Sequence, residues 1–181
     1  MYPRLLLAAV LLTASQSAFA ACSSLLDRSF RPLANTTPVN LCQQFEGKVL
    51  LVVNTASKCG FTPQYEGLEK LHAELAAQGF AVVGFPSNDF MSQEPGDEKQ
   101  IREFCTLTYG VKFPMFEKVS VKGEVADPFY KELAAQGGGE PGWNFHKYLI
   151  GKDGRVIRAF GSRTKPEAPE LRAAIEAALE Q

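Results

Sequence analysis

Polar and apolar positions change period along the chain, and the changes mark out strands and helices. Val49 to Val53 is continuously apolar and Val-rich, the pattern of a strand buried on both faces. From Thr62 to Gln78, Tyr65, Leu68, Leu71 and Leu75 recur at helical spacing and the segment ends at Gly79; Thr62-Pro63 reads as an N-cap followed by proline in the first turn. Phe80 to Phe85 is a second short apolar run. Strand, helix, strand is a βαβ unit, which requires a parallel pair and predicts an α/β fold.

The loop Pro86 to Gly96 then leaves the second strand at its carboxyl end, on the same rim as the residues after Val53, where open α/β sheets collect their chemistry. Asp97 with Gln100 forms a capping box, and Ile101, Phe104, Cys105 and Tyr109 share one helical face, so Cys105 is expected to point inward. Phe113 to Val121 reads as a strand. Asp127-Pro128 opens a helix that ends in Gly137-Gly138-Gly139, and Phe145 to Ile150 with Arg155 to Phe160 forms a hairpin around Lys152-Asp153-Gly154. A last helix runs from about Pro166 to Leu179.

A length of 181 residues fits one domain, and a net charge of -1 with 45% hydrophobic residues gives no basis for nucleic-acid binding. Residues 1–20 read as a secretory signal peptide, with Arg4, an apolar run Leu5 to Leu12 and an Ala18-Phe19-Ala20 cleavage site, leaving residues 21–181 as a single domain. The apolar run is too short to span a bilayer, so no stable membrane insertion is expected. The periplasm is the expected location; a lipid anchor at Cys22 is the alternative reading of Ala20-Ala21-Cys22. Export allows disulfides. Cys22 and Cys42 flank a segment bearing Pro32, Asn35, Pro38 and Asn40 that reads as an N-terminal hairpin or loop, and they are either bridged or unpaired.

The candidate chemistry centres on Cys59, which lies between the Val49 strand and the following helix. The positive end of a helix and the neighbouring Lys58 favour the anionic form of a thiol placed there; the competing reading is a small packing residue. His72 reads as a helix-flank residue and His146 as a surface or sheet-edge residue. Neither has partners at metal-ligand spacing, so no metal is expected.

The segments VNTASKCGFTPQYEGLEKLH, GFPSNDFMSQEPG, REFCTLTYGVKFPMF and GWNFHKYLI, in this order, closely resemble the cysteine-containing glutathione peroxidases, in a bacterial exported form. The resemblance covers the chain from about Leu25 to the final helix. It implies a thioredoxin-like fold, a central mixed β-sheet flanked by helices. It also implies a peroxidase that reduces hydrogen peroxide and organic hydroperoxides without a dissociable cofactor. Its catalytic residues would be Cys59, Gln93, Trp143 and Asn144, with Cys105 as the resolving cysteine that condenses with a sulfenic acid on Cys59. A thioredoxin-like dithiol protein or glutathione would be the reductant, and a short segment between Tyr130 and Trp143 implies a monomer. This sequence departs from the common family pattern at Ser87, Asp89 and Met91-Ser92, which bears on the pose of Gln93.

Two other functions fit part of the pattern. An exported thiol-disulfide oxidoreductase would normally carry a C-x-x-C pair, which Cys59-Gly60-Phe61-Thr62 lacks. A redox sensor or relay would pass oxidation from Cys59 or Cys105 to a partner protein.

Overall fold

The computed structural model describes residues 22–181, so the leader expected at residues 1–20 lies outside the described residues. An antiparallel pair, β1 (Ser29–Phe30) and β2 (Val39–Asn40), leads into a short helix α1 (Leu41–Phe45) capped by the Asn40 side chain. β3 (Val49–Thr55) passes through helix α2 (Gln64–Leu75) and a 3-10 turn (Ala76–Gln78) to β4 (Phe80–Pro86). Helices α3 (Glu98–Tyr109) and α4 (Pro128–Gly137) follow, then β5 (Lys147–Ile150), β6 (Val156–Phe160) and the closing helix α5 (Pro169–Leu179). The four longer strands form one mixed sheet in the order β4-β3-β5-β6; β3 is parallel to β4 and antiparallel to β5, and β5 is antiparallel to β6.

The period-2 alternation of β3 divides the core between the two faces of the sheet. Val49, Leu51 and Val53 pack with Leu68 and Leu71 of α2, Ile101 and Cys105 of α3, and Leu171 and Ile175 of α5. Leu50 and Val52 face Phe129, Tyr130 and Leu133 of α4 and the N-terminal Phe30, Leu41 and Phe45. Burial on both faces is why β3 and β4 read as unbroken apolar runs.

The register places one rim of the sheet. Thr55 pairs with Pro86, and Val53 pairs with Lys147, so the loops after β3 and β4 and the turn before β5 emerge together. Helix α3 begins with the expected capping box, in which the Asp97 side chain accepts from the Gln100 N–H and the Gln100 side chain accepts from the Asp97 N–H. Arg31 ties the N-terminal segment to this helix through Glu98 and to the segment after it through Glu117.

One expected strand is absent. Phe113 to Val121 runs beside β4 but makes only isolated bridges, Gly84 with Met115 and Phe116 with Pro32. Pro114 and Pro32 lack the N–H groups that a continued ladder needs. The close approach at Gly84 leaves no room for a side chain, since a Cβ there would collide with the Met115 sulfur.

Candidate active site

Cys59 sits in the turn between β3 and α2 and is 9% exposed. Its backbone N–H donates to the Thr62 hydroxyl at 3.0 Å, and that hydroxyl donates to the Ala56 carbonyl at 2.9 Å. Thr62 therefore braces the cysteine turn and does not cap the helix; α2 starts at Gln64, and no side chain caps it. A Thr hydroxyl bonds local backbone wherever geometry allows, and here the turn competes successfully with the helix end. The Phe61 N–H points at Cys59 Sγ at 3.4 Å, a donor available to negative charge on the sulfur.

The loop after β4 brings Gln93 to the same place. Its carbonyl accepts from the Lys58 N–H at 3.0 Å, joining it to the cysteine turn. Asp89 anchors this loop by accepting from the Ser120 hydroxyl and the Val121 N–H at 2.9 and 2.6 Å. Asn88 accepts from the Glu94 N–H at 2.8 Å. Met91 and Ser92 both lie in the left-handed region, each at φ 51, where glycine would be unstrained.

The third arm is the turn before β5. Asn144 is buried, and its Nδ2 donates to Gln93 Oε1 at 2.9 Å. Trp143 is half-buried between the two halves of the core and packs on Phe90 with centroids 5.4 Å apart. Asn54 of β3 secures the turn through four bonds, one of them from its own N–H to the His146 carbonyl at 3.4 Å. Its carbonyl accepts from Phe145 N–H at 2.6 Å, its Oδ1 accepts from His146 N–H at 3.1 Å, and its Nδ2 donates to the Trp143 carbonyl at 3.1 Å.

The four expected catalytic residues thus converge on one rim, with Gln93 bonded both to Asn144 and to the cysteine turn. Cys105 lies on the buried side of α3, in the same half of the core as Cys59, and both cysteines are free thiols. Burial pushes the Cys105 thiol up to about 11; the neighbouring Tyr65 hydroxyl opposes the shift and the Glu94 charge adds to it. An open pocket of about 430 Å³ is lined by Ser57 and Lys58 of the cysteine turn, by Glu94 and Pro95, and by Ile101 and Phe104 of α3. Cys22 and Cys42 are joined in a disulfide with Cα atoms 6.0 Å apart, fastening the N-terminal segment to α1.

The sequence reading overlooked three residues and gave Thr62 a different role, that of a helix cap. Asn54 and Thr62 hold the two turns, Lys147 is a fully buried lysine, and Glu94 has a fully buried carboxyl group beside Ser57. Burial pushes the Glu94 pKa up, and neither of its oxygens has a fixed hydrogen-bond partner although the Ser57 hydroxyl faces it. The visible signal for Asn54 and Lys147 was a polar residue within an otherwise apolar strand. His146 also differs from expectation. It is half-buried against Tyr148, with centroids 4.8 Å apart, and burial lowers it to about 4 with the Lys147 charge adding to the effect. His72 flanks its helix, where Nδ1 accepts from the Val82 N–H at the edge of β4. Among the described residues no group of three His, Cys, Asp or Glu side chains is arranged to hold a metal, and no helix is long and apolar enough to cross a membrane.

Residues 29–134 match the family model described as "Glutathione peroxidase". The chain is 49% identical over 153 residues to the hydroperoxy fatty acid reductase of Synechocystis sp., covering 79% of this chain and 89% of that one. The chain belongs to the glutathione peroxidase family. Another relative is the thioredoxin/glutathione peroxidase BtuE of Escherichia coli, 42% identical over 165 residues, covering 78% of this chain and 90% of that protein. The crystal structure of Trgpx in apo form superposes with a TM-score of 0.70 at 37% identity, covering 88% of this chain and 98% of Trgpx. A thioredoxin-family thiol:disulfide interchange protein from Chlorobium tepidum, 17% identical, superposes with a TM-score of 0.62 over 84% of this chain and 92% of its own. That similarity shows the thioredoxin-like fold alone. The protein is a glutathione peroxidase-like peroxidase.

Proposed function

We propose that Cys59 is the peroxidatic thiol and that Gln93, Trp143 and Asn144 serve the reaction at its sulfur. The observation that carries this reading is the pair of bonds at Gln93, one to the Asn144 amide and one to the Lys58 N–H of the cysteine turn. The Cys59 thiolate attacks the terminal peroxide oxygen, the O–O bond breaks, and the sulfur becomes a sulfenic acid while a proton goes to the departing hydroxide or alkoxide. Amide and indole N–H groups at the rim stabilise charge on the sulfur and on the leaving oxygen. Hydrogen peroxide and organic hydroperoxides are the substrates, the latter supported by similarity to the hydroperoxy fatty acid reductase.

Cys105 then attacks the sulfenic sulfur, releasing water and closing a Cys59–Cys105 disulfide. Because Cys105 is buried in α3, this step requires the helix to unwind or shift until the two Cα atoms come within about 7 Å. A thioredoxin-like dithiol protein or glutathione returns both thiols, a choice supported by the similarity to BtuE. The protein acts as a monomer in the periplasm after loss of residues 1–20, a reading supported by the Cys22–Cys42 bridge, since such bonds persist in oxidising compartments. The test is stopped-flow peroxide consumption by wild type, Cys59→Ser and Cys105→Ser, with glutathione and thioredoxin offered separately. Abolished turnover in Cys59→Ser is expected, with selective loss of thioredoxin turnover in Cys105→Ser; undiminished consumption by Cys59→Ser refutes the assignment.

A further inference from the structure

Lys147 opens β5 with its side chain 0% exposed, in a strand whose other members are Tyr148, Leu149 and Ile150. Its ammonium donates to the Phe145 carbonyl at 2.7 Å and to Gln64 Oε1 at 2.8 Å. Among the described residues no carboxylate pairs with it directly, and Glu167 acts on it only through its charge. A fully buried lysine without an ion pair is uncommon, because neutral acceptors replace hydration incompletely.

The two acceptors account for its position. Phe145 follows Asn144 directly and is held at φ 63, a strained conformation for a bulky residue. Gln64 is the first residue of the helix that follows Cys59, and its own amide donates to the Ser162 carbonyl at 2.7 Å. Asn54 fastens the Trp143–Asn144 turn to the sheet, whereas Lys147 fastens it to the cysteine-bearing arm.

We propose that Lys147 is a positioning residue for peroxide reduction: its Nζ ties the Phe145 carbonyl to α2 and so fixes Trp143 and Asn144 relative to the Cys59 sulfur. The inference rests on the reading of Trp143 and Asn144 as partners of Cys59. Displacements of about 1 Å at a reacting centre can lower rates about a hundredfold, so losing this tie is felt in the first chemical step. The later closure of the Cys59–Cys105 disulfide depends on α3 and is not held by Lys147.

The test compares Lys147→Met, Gln64→Leu and Asn144→Ala with wild type. Three quantities are read: the single-turnover rate of Cys59 oxidation, the rate of disulfide closure, and the emission of Trp143, the only tryptophan in the chain. Lys147→Met is expected to oxidise at least about tenfold more slowly, with shifted Trp143 emission and an unaltered closure rate; Gln64→Leu moves the same quantities less. A folded Lys147→Met with an oxidation rate within about twofold of wild type and unchanged emission overturns the proposal. Should Lys147→Met not fold, a wild-type rate and emission in Gln64→Leu overturn it equally. A wild-type oxidation rate in Asn144→Ala brings down the reading of the site itself, whereas a slow Asn144→Ala beside a normal Lys147→Met removes the positioning role alone.

Discussion

Replacing Thr62 by valine keeps the shape of the side chain and removes the hydroxyl that braces the cysteine turn. In the native turn that hydroxyl accepts from the Cys59 N–H and donates to the Ala56 carbonyl, both bonds buried. A net buried hydrogen bond is worth about 1 kcal/mol, and a buried group left unpaired costs about 1–3 kcal/mol. Two such groups are orphaned in Thr62→Val, so we expect a loss of about 2–4 kcal/mol. For a domain of this size that corresponds to a fall in Tm of about 5–15 °C. Thr62→Ser keeps the hydroxyl and loses only a buried methyl group, at about 1 kcal/mol. Urea unfolding of both variants supplies the comparison, and single-turnover oxidation reports whether the loosened turn also slows Cys59. If Thr62→Val and Thr62→Ser unfold within about 0.5 kcal/mol of each other, the brace is not what holds this turn.

Further outcomes follow from the same contacts. The Cys22–Cys42 bridge spans a sequence separation of 20 residues, so removing it with a double serine substitution should lower stability by about 3 kcal/mol, read from chemical denaturation without reductant. Amide exchange around Cys105 should accelerate when the Cys59–Cys105 disulfide forms; equally slow exchange in both redox states contradicts the unwinding of α3. Met91→Gly should stabilise by about 0.5–1 kcal/mol by relieving a left-handed backbone at a side chain that is 79% exposed, and an unchanged or lower Tm counts against strain there. Burial pushes Lys147 down to about 7 despite the opposing charge of Glu167. Below that pH the amine is protonated in both the folded and unfolded chain. Between about 7 and 10.5 the unfolded chain alone holds the proton, so stability should rise with pH by up to about 5 kcal/mol relative to Lys147→Met. A stability difference between the two proteins that does not vary across that window rules the shift out.

The framework was readable because its strongest signals are periodic. β3 and β4 are buried on both faces and appear as unbroken apolar runs, while α2 shows its inward residues at helical spacing. The capping box at Asp97 and Gln100 is a local signal that tertiary contacts did not override. The misreadings fall where one local pattern serves two structures. Thr62-Pro63 suits a helix entry, yet the Thr62 hydroxyl finds partners on the preceding turn. Phe113 to Val121 is apolar enough for a strand, but its proline interrupts the ladder. His146 resembles a strand-end polar residue, and its burial depends on Tyr148 and on neighbours supplied by the fold. The residues proposed as catalytic were recognisable from four separated motifs, whereas the contacts of their supports, Asn54 and Lys147, depend on the tertiary fold and leave no spacing pattern.

The distribution of backbone strain explains why those supports are needed. Met91, Ser92 and Phe145 have φ values of 51, 51 and 63 without being glycine, and they occupy the two turns that carry Gln93 and Asn144. Such conformations cost on the order of 1–2 kcal/mol each and persist only where surrounding contacts over-determine them. Those contacts are present at both turns. Asp89 and Asn88 hold the first through the Ser120 hydroxyl and the Val121 and Glu94 N–H groups, and Asn54 and Lys147 hold the second. The Gln93–Asn144 bond then joins the two turns. On the proposed assignment the rim is pre-organised before peroxide arrives, whereas Cys105 is held in a regular capped helix that it would leave to reach Cys59. That assignment keeps the first chemical step rigid and gives the conformational change to the second.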